Sequence, residues 1–222
     1  MKIEAVIFDL DGTLIDSMGV WAEVDKEYLG KRGLPVPYDL FQDMKHGNSF
    51  IEVAKYFKRK FNLSDTIEEI MQEWTDMVKW HYENDIYLKP GAKELLEYLY
   101  AKNIKIGLGT SNSKQLAQTV LKSNNVLKYF DVIVAGCQNI RGKPFPDIYL
   151  KVATALNVNP CNCIVIEDVY VGVKAAKNAG MTVFSIEDEH TKPEREKIKK
   201  IVNFYGKNFY VIKERLEKYF EF

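Results

Sequence analysis

The stretch Phe8-Asp9-Leu10-Asp11-Gly12-Thr13-Leu14-Ile15-Asp16-Ser17 carries the clearest structural signal in this sequence of 222 residues. It follows an apolar run at residues 4–8, which predicts a short buried strand that ends at Asp9. In an open sheet of parallel strands, ligands bind beyond the carboxyl ends of the strands. Buried carboxylates without a positive partner are costly, so we expect a cation between Asp9 and Asp11. The alternative is a pair of turn-forming acids, with Asp16 or Ser17 as the N-cap of a helix.

Four later runs resemble this first strand, because each is short, apolar and bounded by glycine, asparagine or acidic residues. They predict buried parallel strands at residues 104–108, 132–135, 163–166 and 182–186. Apolar residues at helical spacing predict helices between them at 92–102, 113–123, 147–156 and 169–179. Such alternation indicates right-handed crossovers and a parallel sheet between two layers of helices. At the end of the chain, residues 208–212 are predicted as an edge strand and 213–220 as a closing helix.

The segment between the first and second strands is far longer than one crossover needs. Three helical patterns fill it, and His81 ends the apolar face of the last one. We therefore predict a helical cap domain at residues 17–86, inserted into a catalytic core made of residues 1–16 and 87–222. Its hinges are expected near residues 15–18 and 86–90.

Polar residues that could take part in chemistry also occur in three later segments. Thr110, Ser111 and Asn112 come directly after the second strand, where hydroxyl and amide donors can hold an anion at a helix N-terminus. The alternative is that these residues only cap the following helix, as such residue types commonly do. Lys143 lies between glycine and proline, and Glu167 and Asp168 end another apolar strand.

These four segments, in this order, resemble the motifs of the haloacid dehalogenase superfamily of phosphotransferases across nearly the whole chain. The resemblance implies an α/β, Rossmann-like three-layer core with a parallel sheet plus an inserted helical cap domain. It further implies that Asp9 is the nucleophile and that Asp11 protonates the leaving oxygen and then activates water. True dehalogenases of the superfamily lack the second aspartate, so Asp11 favours phosphoryl transfer.

The resemblance also assigns roles to the other polar segments. Thr110 and Lys143 correspond to the catalytic residues that bind the transferring phosphate, and the amides of Ser111 and Asn112 add donors. The cofactor implied is Mg²⁺, which prefers oxygen ligands. Asp9, the main-chain oxygen of Asp11 and Asp168 are the implied metal ligands, and Glu167 corresponds to either a ligand or an acid behind one. Val169 stands where the family usually has serine.

A helical insertion after the first motif is similar to the β-phosphoglucomutase-like branch. The mutases carry a Gly-x-Ser-Arg segment in the cap, and here Phe50 stands in place of the arginine. Ser113 stands where the mutases carry a phosphate-binding lysine. Both differences favour a phosphatase acting on a small phosphorylated metabolite over a sugar phosphomutase. His46, Asn48 and Phe50 are the candidates for substrate contacts from the cap, although the helical spacing of Phe50 also fits core packing.

The composition of the chain bears on its partners and its location. Lysine and arginine number 31, as do aspartate and glutamate, and this zero net charge argues against a nucleic-acid or membrane-surface partner. No run approaches the roughly 20 apolar residues of a membrane helix, and the first residues do not resemble a signal sequence. Three cysteines form no disulfide framework, so we expect a reducing, cytoplasmic location. A monomer is expected, and a non-catalytic binding protein on the same fold is the remoter alternative.

Overall fold

The computed structural model describes residues 2–41, 49–136 and 140–220. Six parallel strands form one sheet in the order β3-β2-β1-β4-β5-β6. They are β1 (Ala5–Phe8), β2 (Lys105–Thr110), β3 (Val132–Ala135), β4 (Cys163–Glu167), β5 (Thr182–Ile186) and β6 (Phe204–Gly206). The strand that ends at the first acidic motif therefore lies in the middle of the sheet, flanked by the strands that carry the second and fourth motifs.

Nine α-helices accompany these strands in the described part of the chain. They are α1 (Met18–Gly30), α2 (Phe50–Lys60), α3 (Ile67–Asn84), α4 (Ala92–Ala101), α5 (Lys114–Ser123), α6 (Asp147–Leu156), α7 (Tyr170–Asn178), α8 (Arg195–Lys199) and α9 (Phe209–Phe220).

The helices cover both faces of the sheet. Alternation along β1 sends Val6 and Phe8 into one apolar cluster, shared with α4, α5 and α9. Ala5 and Ile7 enter a second cluster on the other face, shared with α6, α7 and α8. Since both faces are buried, the strands carry continuous apolar runs, as the sequence predicted. The predicted three-layer α/β core is confirmed.

Helices α1, α2 and α3 lie between β1 and α4 in the chain. Their contacts are rich in aromatic rings: the centroid of Trp74 lies 4.9 Å from that of Phe57 and 5.5 Å from that of Tyr28. Such edge-on pairs each contribute about 0.5–1.5 kcal/mol beyond the apolar area they bury. The helical content predicted for this insertion is present in the described residues.

The two chain segments that enter and leave this insertion pair with each other. Ile15 and Leu88 form an antiparallel bridge. The amide of Asp16 donates to the carbonyl of Tyr87 at 3.2 Å, and the amide of Lys89 donates to the carbonyl of Leu14 at 2.9 Å. Both expected hinge segments therefore meet at one place beside the first motif.

The end of the chain differs from its prediction. The edge strand is Phe204–Gly206. Of residues 208–212, predicted as that strand, Asn208 precedes α9 and the other four form its first residues. Asn208 accepts a hydrogen bond from the amide of Val211 at 3.1 Å, which satisfies an amide at the helix N-terminus. Phe209, Ile212 and Leu216 then bury one helical face. The local β-branched residues predicted a strand, but the period of burial is that of a helix.

The buried face of α3 also differs from its prediction. Tyr82 is buried, one turn after Val78 and two after Trp74. His81, which the apolar pattern placed on this face, is partly exposed and pairs with Asp85 at 2.9 Å. Within the described residues, none of the helices has both the length and the apolar content needed to span a bilayer.

Candidate active site

The carboxyl ends of three neighbouring strands bring the predicted site residues together. Asp9 directly follows β1, and its amide donates to the carbonyl of Ile166 in β4 at 3.0 Å. Phe8 is in register with Ile166 on one side and with Leu108 on the other. Because parallel strands present their carboxyl ends at one edge, Asp9 lies beside the acids that end β4 and the residues that end β2.

Lys143 links two of the carboxylates. Its ammonium donates to Oδ1 of Asp9 and to Oε1 of Glu167, each at 2.6 Å. Its side chain is only 2% exposed, and the Glu167 side chain is fully buried. Burial works against the charged ammonium, but Asp9 and Glu167 outweigh it and raise the pKa of Lys143. Lys143, predicted as a catalytic residue, is therefore a fixed positive charge beside the predicted nucleophile.

Glu167 is held in place from every side. Besides Lys143, the hydroxyl of Tyr149 donates to Oε1 at 2.7 Å. The amides of Asp168 and Val169 donate to Oε2 at 2.9 and 3.1 Å. A Cβ atom at Gly172 would lie 1.7 Å from Oε1, so only glycine leaves room for this carboxylate. The orientation of Glu167 is thus determined by groups on α6 and at the start of α7.

Asp168 completes the acidic cluster. The hydroxyl of Thr13 donates to its Oδ1 at 2.6 Å. Gly12 has a positive φ of 78°, and a Cβ there would lie 2.6 Å from Oδ2 of Asp168, so the turn after Asp11 requires glycine. Asp9, Glu167 and Asp168 each offer an oxygen within 4.8 Å of the others.

The charges in this cluster are unbalanced, because three buried carboxylates face one ammonium. Burial raises the pKa of Asp9 to about 7; Lys143 opposes this rise, and Glu167 adds to it. Burial raises the pKa of Asp168 well above its usual range, and the negative charges of Glu167 and Asp9 add to this rise. A bound cation relieves this strain, and carboxylate oxygens suit a hard cation. The residues present therefore fit a metal ion.

Asp11 lies in a different environment, made of neutral donors. Ser17 donates to its Oδ1 at 2.7 Å, Trp21 through its indole Nε1 at 3.3 Å, and the hydroxyl of Tyr82 also donates to Oδ1. Oδ2 accepts from the side-chain amide of Asn112 at 3.0 Å. Ser17 precedes α1 but makes no side-chain capping bond to it, because its hydroxyl turns to Asp11 instead.

The predicted phosphate anchor lies at the end of β2. Thr110 is buried, and its Oγ1 accepts from the amide of Asn112 at 3.1 Å. The carbonyl of Ser111 accepts from the amide of Phe50 at 3.0 Å, which connects this loop to the start of α2. Asn112 is the member of the three that reaches Asp11. The loop thus touches both the predicted acid–base residue and the insertion.

The cap candidates are placed less completely. His46 and Asn48 lie outside the described residues. The side chain of Phe50 is buried and packs on Trp21 and Trp74, with ring centroids 5.9 and 5.7 Å away. Core packing, the alternative weighed for Phe50, is its observed environment. Ser113 accepts from the amide of Leu116 at 3.2 Å and caps α5.

Sequence reasoning missed several residues that contact the site. Thr13, Ser17 and Tyr149 donate hydrogen bonds to acidic site residues, and Trp21 and Tyr82 donate to Asp11. The spacing of Tyr82 from Trp74 and Val78 was the available signal. Lys89 donates to the carbonyl of Gly12 and to Asp188 at 2.6 Å, and no motif indicated this pair.

Comparison with known proteins agrees with this geometry. The sequence model of haloacid dehalogenase-like hydrolases matches residues 6–186. A phosphorylated carbohydrates phosphatase of Thermotoga maritima is 35% identical over 179 residues, which cover 81% of this chain and 82% of the relative. A 6-phosphogluconate phosphatase of Escherichia coli is 30% identical over 195 residues, covering 86% of each chain. The crystal structure of a β-phosphoglucomutase from Clostridium difficile is similar with a TM-score of 0.80 and 29% identity, covering 99% of this chain and 98% of that one.

Proposed function

Because the chain belongs to the haloacid dehalogenase-like hydrolase family, we propose that it is a Mg²⁺-dependent phosphatase that hydrolyses a small phosphorylated metabolite through an aspartyl phosphate on Asp9. The observation that carries this proposal is the buried cluster in which Lys143 joins Asp9 to Glu167 beside Asp168. The predicted family and the enzyme class, a phosphoric monoester hydrolase, are confirmed by the family match and by relatives that are phosphatases.

In the proposed reaction, the carboxylate of Asp9 forms a bond to phosphorus while the bond from phosphorus to the ester oxygen breaks. The leaving oxygen takes a proton from Asp11. Water then attacks the phosphorus and gives a proton to Asp11, and the bond to Asp9 breaks to release inorganic phosphate. A carboxylate nucleophile divides one difficult displacement into two easier ones. Lys143 places positive charge where the phosphoryl oxygens gather negative charge.

The metal proposed for this site is Mg²⁺. Asp9, Asp168 and the main-chain oxygen of Asp11 would hold it, with Glu167 behind them or as a further ligand. When bound, Mg²⁺ neutralises charge on the phosphoryl group and aligns it with the nucleophile. Hydrogen bonds from Lys143, Tyr149 and two amides already satisfy both oxygens of Glu167. This favours a position for Glu167 behind the metal ligands over direct binding to the metal.

The remaining site residues would bind substrate. Thr110, with the amides of Ser111 and Asn112, would hold the transferring phosphate at the start of α5. We propose that residues 17–86 form a cap domain over a core of residues 1–16 and 87–222. In this proposal the cap contacts the leaving group through His46, Asn48 and Phe50. The side chain of Phe50 is buried and its amide already donates to the carbonyl of Ser111, so Phe50 would act by joining the start of α2 to the loop after β2.

A sugar phosphate is the favoured substrate. The T. maritima relative acts on phosphorylated carbohydrates and the E. coli relative on 6-phosphogluconate, and both cover most of this chain. We propose that the protein works in the cytoplasm as a monomer, without a nucleic-acid or membrane partner, in keeping with its zero net charge.

A panel of phosphorylated sugars, sugar acids, polyols and nucleotides, assayed for phosphate release, tests this function. Each compound is incubated with Mg²⁺, with Ca²⁺ and after exhaustive chelation. We expect release with Mg²⁺, a loss of about 100-fold or more on chelation, and little recovery with Ca²⁺, whose larger and looser coordination misplaces the nucleophile. Full activity after chelation would exclude the metal, and an inert enzyme across the panel would contradict the phosphatase.

A sugar phosphomutase is the second candidate, supported by the similarity to the C. difficile β-phosphoglucomutase. A mutase must hold a second phosphate, which requires a cation such as arginine or lysine. The positions aligned with those cations carry Phe50, which is buried, and Ser113, which caps α5. We therefore expect β-glucose 1-phosphate to yield glucose and phosphate, with little glucose 6-phosphate even with a bisphosphate primer. Glucose 6-phosphate forming faster than phosphate would reverse this choice.

A further inference from the structure

We propose that Tyr82 is a positioning residue for Asp11, and this rests on the proposed function, in which Asp11 handles protons. Tyr82 belongs to α3 in the insertion and lies 71 positions from Asp11 in the chain. Its side chain is fully buried, and its hydroxyl donates to Oδ1 of Asp11. It makes no described contact with Asp9 or Asp168, and the other hydrogen-bond partners of its hydroxyl are Trp21 and Asn112.

The direction of this hydrogen bond is determined by the other partners of the hydroxyl. The indole Nε1 of Trp21, which can only donate, lies 2.9 Å from the Tyr82 oxygen. The side-chain nitrogen of Asn112 lies 2.9 Å from it on another side. A phenol oxygen has one proton and two lone pairs. Both lone pairs therefore accept, and the single proton points to Asp11.

The orientation of Asn112 is itself fixed. Its side-chain oxygen accepts from the amide of Ser113 at 2.7 Å, so its nitrogen faces Asp11 and Tyr82. No member of this cluster can turn without breaking a bond to another member. The members of such a network hold one another in place, so deleting one member affects the rest.

The cluster joins the insertion to the core. Trp21 and Tyr82 come from α1 and α3, and their rings pack edge-on with centroids 6.3 Å apart. Asp11 and Asn112 follow β1 and β2. Asp11 is thus oriented by side chains that reach it only while α1 and α3 lie against the core. A displacement of about 1 Å at a reacting group can cost about 100-fold in rate.

Tyr82→Phe tests the role with little change in shape, and Tyr28→Phe is a matched control. Tyr28 is another fully buried tyrosine of the insertion, but its hydroxyl has no hydrogen-bond partner among the residues that the structure describes. With the best substrate of the panel, we expect Tyr82→Phe to lower kcat by about 10-fold or more and to leave KM within about threefold. Tyr28→Phe should leave both within about twofold. Unchanged kcat in Tyr82→Phe would overturn the proposal.

A double-mutant cycle separates action through Asp11 from general damage. If Tyr82 acts by placing Asp11, its removal should change kcat by less than about twofold when Asp11 is already replaced in Asp11→Asn. Full additivity of the two losses would overturn the proposal, because it would show that Tyr82 supports the site independently of Asp11. The failure of the proposed function looks different: the wild-type enzyme itself would then release no phosphate.

A measurement that does not depend on turnover completes the test. The chain has 3 tryptophans, so an NMR spectrum of the indole N–H groups is simple, and Trp21→Phe assigns the relevant signal. We expect Asp11→Asn and Tyr82→Phe each to shift the Trp21 signal, and Tyr28→Phe to leave it in place. The same spectrum reports whether each variant is folded. If the Trp21 signal does not shift in either Asp11→Asn or Tyr82→Phe, the hydrogen-bond cluster on which the inference depends is wrong.

Discussion

Asp9 and Asp11 are two residues apart, yet the structure places them in opposite surroundings. Asp9 lies in the core among charges, bonded to Lys143 and close to Glu167 and Asp168. Asp11 lies at the junction with the inserted helices, where neutral donors occupy both its oxygens. The first environment has an excess of negative charge that a cation must balance. The second is complete without any ion.

This difference separates two tasks. The charged cluster gathers the groups that would bind a metal and a phosphate, and its parts come from the ends of β1 and β4 and the loop before α6. The neutral cluster orients one carboxylate, and three of its four donors, Ser17, Trp21 and Tyr82, come from the insertion at residues 17–86. Substitutions in the charged cluster should therefore abolish phosphoryl transfer, whereas substitutions in the neutral cluster should slow it by misplacing Asp11.

The largest effect is expected from Asp9→Asn. An amide is a far poorer nucleophile than a carboxylate, so turnover should fall by about 10⁴-fold or more. Phosphate release measures the loss, and circular dichroism checks that the fold is kept. A variant with turnover close to the wild-type rate would show that Asp9 is not the nucleophile.

Asp11→Ala should be less severe and should affect a particular step. General acid–base catalysis typically contributes 10²–10⁴-fold, and we expect a loss of about 10³-fold. With an activated ester such as p-nitrophenyl phosphate, which leaves without a proton, Asp9 should still be phosphorylated. Rapid-quench experiments should then show the phosphorylated enzyme accumulating, since water lacks its base. If no phosphorylated enzyme builds up while steady turnover is lost, the division of roles between the two aspartates is wrong.

Gly172→Ala tests the geometry of the charged cluster without removing any of its groups. A Cβ atom at this position would lie 1.7 Å from Oε1 of Glu167, so the carboxylate must move away from Lys143 and Tyr149. We expect the Mg²⁺ concentration for half-maximal activity to rise by about 10-fold. Gly30→Ala is the control, because a Cβ at Gly30 meets no atom of the described residues within 4 Å. An unchanged metal requirement in Gly172→Ala would show that Glu167 does not support the metal.

Asp25 extends the comparison to a carboxylate with neither kind of partner. It lies in α1, and the described part of the chain offers it no hydrogen bond or ion pair. Burial raises its pKa from 3.8 to about 7. The unfolded chain therefore loses this proton first as the pH rises, and folding stability falls between about pH 4 and pH 7.

The amide in Asp25→Asn removes this dependence. We expect the variant to be more stable than wild type by about 2 kcal/mol at pH 8, with a smaller difference at pH 5. Urea unfolding at both pH values measures it, and the wild type under the same conditions subtracts the titration of all other groups. If the difference in unfolding free energy between the two proteins does not change with pH, the pKa of Asp25 is the same in the folded and unfolded chain, and the prediction is wrong.

The sequence by itself determined the parallel sheet, most strand and helix positions, and the charged cluster. Buried parallel strands must be apolar on both sides, which makes their runs visible, and carboxylates at strand ends interrupt them abruptly. Asp9, Lys143, Glu167 and Asp168 could be found because each stands at such a boundary or in a distinctive motif.

Only the tertiary structure decided which side chains surround Asp11 and how the chain ends. Tyr82, Trp21 and Asn112 are ordinary residues at ordinary positions in helices or after a strand, and nothing local says that their polar atoms meet. Residues 209–212 have strand-forming side chains, yet burial against the sheet makes them the start of a helix. Local propensity amounts to about 1 kcal/mol per residue at most for such positions, and the packing of an amphipathic face outweighs it.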